Sequence, residues 1–252
     1  MNLDISLAPQ ILFYIGSFPV TNSFLWMIIL TIVTIIFTLI ISASLKLVPG
    51  KIQSIVEIFL EGGYDFVKSV IGTDKKARRI FPLVMTMFVF TLITNLFTYI
   101  PGQAAIMINT ADGPVALFRA VMADYGMVFM MTTITIILVQ VVAIIVHGPF
   151  GYMGKFINFK SPLSFVLGLM DIIGEFAKLV SLSFRLFGNI FAGEVLGAVM
   201  LFLAPFFIPL PFMFLGLLSA VVQAFVFATL TLVFVMLASE IEEDEIVEQA
   251  SI

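Results

Sequence analysis

Long uncharged apolar runs alternate along this chain with short segments that carry most of its charge, and the run lengths define the elements. A helix that crosses a bilayer needs about 20 predominantly apolar residues. Residues 22–46 predict a first span, uncharged from position 24 to 45, with Trp26 near its start as an interfacial anchor. Residues 80–100 predict a second, with Pro82 in its first turn and Pro101-Gly102 ending it. Residues 126–147 predict a third, closed by Gly148-Pro149.

The C-terminal part departs from this length scale. Residues 161–204 contain one early proline, Pro162, and then an uninterrupted helical pattern of some 40 residues. Such a helix would be about 60 Å long, roughly twice the hydrocarbon thickness, so it must tilt steeply or break in two. Pro205, Pro209 and Pro211 then turn the chain, and a second long helix is expected over 212–239. Residues 161–239 therefore predict a long tilted hairpin, followed by an acidic tail, 240–252, read as a solvated end.

Residues 51–72 carry a different periodicity. Ser54, Glu57, Glu61, Asp65 and Lys68 recur at three- and four-residue steps, while Ile52, Ile55, Val56, Phe59, Phe66, Val67 and Val70 fill the other side. That stripe describes an amphipathic helix lying in the membrane interface or packed on the other helices, two compatible readings. Gly62-Gly63 weakens its middle, where a bend is expected.

Composition turns these runs into a class. The chain has 252 residues, 61% hydrophobic and 11% charged, with a mean hydropathy of +1.18. Soluble domains are nearer 45–50% apolar and about 25% charged. The expected fold is an all-α integral membrane protein in one domain, 1–252, with about five embedded helices and one interfacial helix. No cysteine is present, which excludes disulfides and thiol chemistry, and a net charge of −4 gives nucleic acid no handle. No basic stretch precedes the first run, so no cleavable signal is read there.

The basic residues orient the chain. Lys46, Lys51, Lys68, Lys75, Lys76, Arg78 and Arg79 lie between the first two spans, and Lys155 and Lys160 lie before the hairpin. Only Arg119 falls in the loop between spans two and three. Nine against one places the first and third loops on the cytoplasmic side, the N-terminus outside and the C-terminus cytoplasmic.

Against this frame, the charges inside the hairpin stand out. Its first helix carries Asp171, Glu175, Lys178, Arg185, Asn189 and Glu194. At about 100° per residue, with Asp171 at zero, the others fall near 40°, −20°, −40°, 0° and, for Glu194, about 140°. Glu194 therefore faces a different neighbour, about 13 Å along the axis from Arg185. On the second helix, Ser219 and Gln223 are i,i+4 neighbours expected to face the first. Asp171, Glu175 and Lys178 fit an internal salt-bridge ladder that only holds helices together.

Arg185 resists that explanation. A guanidinium at bilayer depth costs from about 2.5 to more than 10 kcal/mol, depending on the measure. No acidic residue lies three or four positions away. Either Asn189, Gln223 and backbone oxygens hold it, or its counter-charge comes from another protein; the second accounts better for a permanent charge at that depth.

The run RLFGNIFAGE, from Arg185 to Glu194, resembles the signature of subunit a of the rotary F-type ATP synthase. Gln223-Ala-Phe225 on the last helix and NLFTYIP, from Asn95 to Pro101, are similar to further stretches of that family. The layout resembles the family over nearly the whole chain. The resemblance implies a stator subunit whose arginine, here Arg185, faces the carboxylates of a rotating c-ring. It implies Asn189, Glu194 and Gln223 in an outer half-channel and Asp171, Glu175 and Lys178 in an inner one. Asp124 matches an acidic position of the outer loop loosely. Implied partners are the c-ring, the peripheral stalk subunit b and membrane lipid, with H+ or Na+ as the translocated ion, in a bacterial plasma membrane. No cofactor, metal, nucleic acid or ATPase site is expected of the chain alone. It departs from the family at Thr98, where members often have an acidic residue, and at Gly216, where many have a histidine that pairs with the glutamate.

Two other classes compete. An ion-coupled secondary transporter would also hold an intramembrane Arg/acid site, but it is usually built from repeats, and no matching halves are visible. A structural scaffold would explain the helices but not Arg185. His147 is read as an interfacial residue, and Asp112 and Arg119 as loop charges.

Overall fold

The computed structural model describes residues 9–99, 106–110, 113–156, 162–203 and 207–250. Six helices account for most of them: α1 Asn22–Ala43, α2 Lys51–Ile71, α3 Asp74–Phe97, α4 Tyr125–Phe156, α5 Pro162–Leu203 and α6 Pro209–Ala250. Five contain stretches long and apolar enough to cross a membrane, and α2 is the exception. The fold class expected from the sequence is the one observed, an all-α membrane protein.

Two small hairpins were not anticipated. Strands β1 Ile11–Ile15 and β2 Phe18–Thr21 pair antiparallel across Gly16-Ser17, where Gly16 takes φ 64°. A two-residue turn with glycine at positive φ between apolar flanks is a hairpin signal, and it was present in the sequence. Strands β3 Met107–Thr110 and β4 Gly113–Ala116 form the second. Asn22 links the two, accepting from the Gln10 amide at 3.3 Å and donating to the Ala116 carbonyl at 3.2 Å.

Helix α3 begins at Asp74, six residues before the expected start, so Pro82 lies inside the helix and not in its first turn. Asp74 explains the early start. Its carboxylate accepts from Tyr64 at 2.7 Å and from Arg78 at 2.9 Å, and meets Lys68 Nζ at 3.1 Å. Those contacts fix the start of α3 against α2. Pro82 then leaves the Arg78 carbonyl without a helical donor. A bend was expected at Gly62-Gly63, and the helix is uninterrupted there. α2 runs through both, and a Cβ on Gly63 would lie 3.2 Å from Met85 Sδ, so this glycine serves the close approach of α3.

Gly148, at φ 74° and ψ 157°, breaks the path of α4 where closure by Gly148-Pro149 was expected. α5 is unbroken over 42 residues, about 63 Å against roughly 30 Å of hydrocarbon. α6 begins at Pro209, with Pro211 also in its first turn, and continues to Ala250. The acidic segment up to that residue continues the helix, because glutamate, isoleucine and alanine follow without a glycine or proline. Residues 204–206 of the turn, Pro101-Gly102, Asp112 and Lys160 lie outside the described residues, and the side chains of His147 and of the tail are not described.

α6 is the centre of the packing, touching α3, α4 and α5. One cluster joins Leu182, Leu186 and Ile190 of α5 to Ala220 and Phe227 of α6, Leu30 of α1 and Val128 of α4. A second joins Val67 of α2 and Val84 of α3 to Leu232 and Val235 of α6. α1 buries only Asn22, Ser23 and Leu30, and Ile32, Ile36 and Ile40 face outward, as on a helix whose solvent is lipid.

Candidate functional site

The site is built on α5, whose buried face fixes where its polar residues point. Leu182, Ser183, Leu186 and Ile190 are buried, which turns Phe184 and Arg185 outward. Arg185 is exposed, and it makes no hydrogen bond or ion pair with any described residue. Of the two readings of Arg185, the internal one, through Asn189 and Gln223, is not realised among the described residues. Asn189 instead turns toward α6. Its amide donates to the Ser219 carbonyl at 3.3 Å and accepts from the Ser219 hydroxyl at 2.6 Å. Gln223 is buried at 6% exposure, with its Nε2 unpaired among the described residues. Nearby, Asn95 of α3 donates to the Ala220 carbonyl at 3.1 Å.

Toward the start of α5, Glu175 accepts from Lys178 at 2.7 Å on one carboxylate oxygen and from Gln140 of α4 at 2.8 Å on the other. The Lys178 ammonium also lies 5.2 Å from the centre of the Phe234 ring on α6, within cation–π range. Glu175 and Lys178 remain 23% and 33% exposed. Asp171 is exposed and is not drawn into this pair. Tyr152, beyond the kink of α4, feels both acids. Burial and the charges of Glu175 and Asp171 push its phenol up to about 12, so it stays protonated at neutral pH. The single stripe on the wheel thus divides into a paired group facing α4 and α6, and two exposed charges.

At the other end, Glu194 is exposed on α5. Arg119, read from the sequence as a loop charge, lies within electrostatic range of Glu194. Tyr99 also senses the Glu194 charge, and its ring passes between α5 and α6. Thr98 occupies the position where the resemblance leads one to expect an acid, and it turns its hydroxyl back to the Thr94 carbonyl at 3.2 Å.

Asp124 is almost fully buried. One carboxylate oxygen accepts from the Ser23 hydroxyl, the other accepts from the Gly126 amide at 2.9 Å, and its carbonyl accepts from Val128 at 3.1 Å. That is the geometry of a helix N-cap, which also ties α1 to the start of α4. Among the described residues no three acidic, histidine or cysteine side chains gather as a metal site requires. The sequence reading missed Tyr99, Gln140 and Tyr152. Gln140 bonds Glu175 from another helix, while Tyr99 and Tyr152 lie within electrostatic range of their acids from other segments of the chain.

These features define a helical membrane protein with several spans, in which acids flank an exposed arginine, unpaired among the described residues, along one over-long helix. The chain belongs to the family described as ATP synthase A chain, which it matches over residues 24–236. It is 34% identical over 229 residues to ATP synthase subunit a of Moorella thermoacetica, covering 90% of this chain and 94% of that one. It is 32% identical to ATP synthase subunit a of Campylobacter concisus, with 86% and 89% covered. A third relative, ATP synthase subunit a 3 of Pelobacter propionicus, is 34% identical, with 84% of each chain covered.

Proposed function

We propose that this chain is the stator subunit of a proton-driven rotary ATP synthase, and that it joins two offset half-channels to the carboxylates of a rotating c-ring. The observation that carries the proposal is Arg185, exposed on α5 and without a partner among the described residues, between Glu175 on one side and Glu194 on the other. The family and the printed names of the relatives support the same reading.

The chemistry follows from the positions. Glu194 passes an incoming proton toward a ring carboxylate, with Asn189 and Gln223 along the route. A neutralised carboxylate can enter lipid without the cost of carrying a bare charge there. After rotation, Glu175, Lys178 and the exposed Asp171 accept the proton on the inner side. Arg185 stays protonated at every accessible pH. It therefore attracts the ionised ring carboxylate and repels a proton hopping directly between the two paths. The attraction has to stay modest, because a tight, dry pair would stop the ring from leaving again. A membrane potential contributes about 2.3 kcal/mol per charge per 100 mV.

In this reading the c-ring and the peripheral stalk subunit b are partners, and the N-terminus is outside a bacterial plasma membrane with the C-terminus in the cytoplasm. The test is ATP-driven proton uptake into inverted vesicles carrying the assembled complex, wild type against Arg185→Ala. Pumping is expected to vanish while ATP hydrolysis continues and the membrane leaks protons. Pumping near the wild-type rate would make Arg185 structural and end the rotary reading.

A further inference from the structure

A slot in the α5–α6 interface holds the Tyr99 ring because two glycines leave it open. A Cβ on Gly216 would stand 2.6 Å from the Tyr99 hydroxyl oxygen, 2.7 Å from Cε1 and 2.8 Å from Cζ. A Cβ on Gly193 would stand 2.8 Å from the same hydroxyl. Neither separation is compatible with any other residue type at those positions while the ring stays where it is. Gly193 immediately precedes Glu194, so the phenol stands against the turn of α5 that carries this acid.

The hydroxyl itself is buried and has no hydrogen-bond partner among the described residues. Packing alone does not explain it. An unpaired buried hydroxyl is unfavourable, and phenylalanine would fill the slot without that penalty. This chain uses phenylalanine 28 times and tyrosine 5 times, so an aromatic ring without the hydroxyl is its usual solution. The position on α6 that makes room for the ring, Gly216, is also where a histidine partner for Glu194 was expected and is missing.

We propose that the Tyr99 hydroxyl, held between Gly193 and Gly216, is the relay and positioning partner of Glu194 in the outer half-channel. The transfer is balanced. The phenol and the carboxylate share no hydrogen bond, so the transfer runs through one water: a proton is taken up on the phenol oxygen as the phenol's own proton passes through that water to the Glu194 carboxylate, and Tyr99 ends unchanged. Arg119 lies within electrostatic range of the same carboxylate. This inference rests on the outer half-channel reading of Glu194 given above.

The test uses the assembled complex in inverted vesicles, comparing passive proton conduction through the stripped membrane sector with ATP-driven pumping. Tyr99→Phe keeps the ring in the slot and removes only the hydroxyl. Its conduction is expected to fall about a hundredfold at unchanged complex abundance, at the low end of what a positioned proton donor contributes. Gly216→His alone is expected to fail by collision, and Tyr99→Ala alone by losing the hydroxyl. The double variant Tyr99→Ala/Gly216→His is expected to recover conduction, because an imidazole then occupies the vacated slot. A packing role would not be restored in that way. If Tyr99→Phe conducts at the wild-type rate while Glu194→Gln does not, Tyr99 is a spacer and the inference is overturned, with the half-channel reading intact. If Glu194→Gln also conducts normally, the half-channel reading fails and takes this inference with it.

Discussion

Asn189 on α5 and Ser219 on α6 bond each other in both directions: the serine hydroxyl donates to the asparagine carbonyl oxygen at 2.6 Å, and the asparagine amide returns to the Ser219 backbone carbonyl at 3.3 Å. This pair sits one helical turn beyond Arg185 and fixes the rotation of α5 about its own axis. Asn189 thereby acts on Arg185 by aiming it, not by binding it.

Ser219→Ala should therefore weaken coupling between the two helices by about 0.6 kcal/mol, the usual worth of a polar contact between membrane helices. Asn189→Leu should cost more, since it also leaves the serine hydroxyl unpaired. Thermal unfolding of the purified complex in detergent measures both. Equal and negligible effects would show that the pair does not hold α5 in place.

Arg185→Lys keeps the charge but should lose most of the coupled pumping. An ammonium is compact and strongly hydrated, whereas the guanidinium presents a planar fork that suits a carboxylate and is more weakly hydrated. The readout is ATP-driven proton uptake relative to ATP hydrolysis in the same vesicles. Full pumping would mean that only net charge matters at this position.

Glu175 and Lys178 present a choice between a structural pair and a working one. An i,i+3 ion pair on a helix contributes about 0.2–0.5 kcal/mol. Because both groups remain partly exposed, Lys178→Gln should change stability little and slow proton release noticeably. Proton conduction and thermal stability, measured together, separate the two roles. A large stability loss with normal conduction would return the pair to the salt-bridge ladder considered at the outset. Gln140→Leu supplies the companion measurement, since it strips the other carboxylate oxygen of its donor.

Asp124 offers the opposite case. Its bonds to Ser23 and Gly126 are those of a cap, so Asp124→Asn should leave assembly and conduction close to wild type, because asparagine caps as well as aspartate. Asp124→Ala should destabilise the complex by about 0.5–2 kcal/mol. Lost conduction in Asp124→Asn, at normal abundance, would instead assign the carboxylate a titrating role.

The spans were legible because each is set by a length requirement that one run of residues satisfies alone. The same holds for Arg185, whose cost in an apolar setting is visible without any coordinates. The start of α3 was misplaced because hydropathy registers the membrane and not the helix, and the ion contacts of Asp74 extend the helix into the charged segment. The β1–β2 turn at Gly16-Ser17 was readable and was passed over. Tyr99 was not readable from its own surroundings. Its meaning lies in two glycines some 94 and 117 positions later, which matter only once α3, α5 and α6 are brought together. Gln140 and Tyr152 were hidden for the same reason, as was the cap formed by Asp124, whose serine partner lies on α1.

The unbroken course of α5 makes it a ruler. Glu175 and Arg185 are held about 15 Å apart along the axis, and Arg185 and Glu194 about 13 Å, by nothing more than a count of residues in a continuous helix. Substitution can alter the groups at these marks but not the distances between them. Deleting one residue anywhere between Glu175 and Glu194 would turn one end of the ruler about 100° against the other. Residue number within this interval is therefore under a stricter constraint than residue identity at most of its positions.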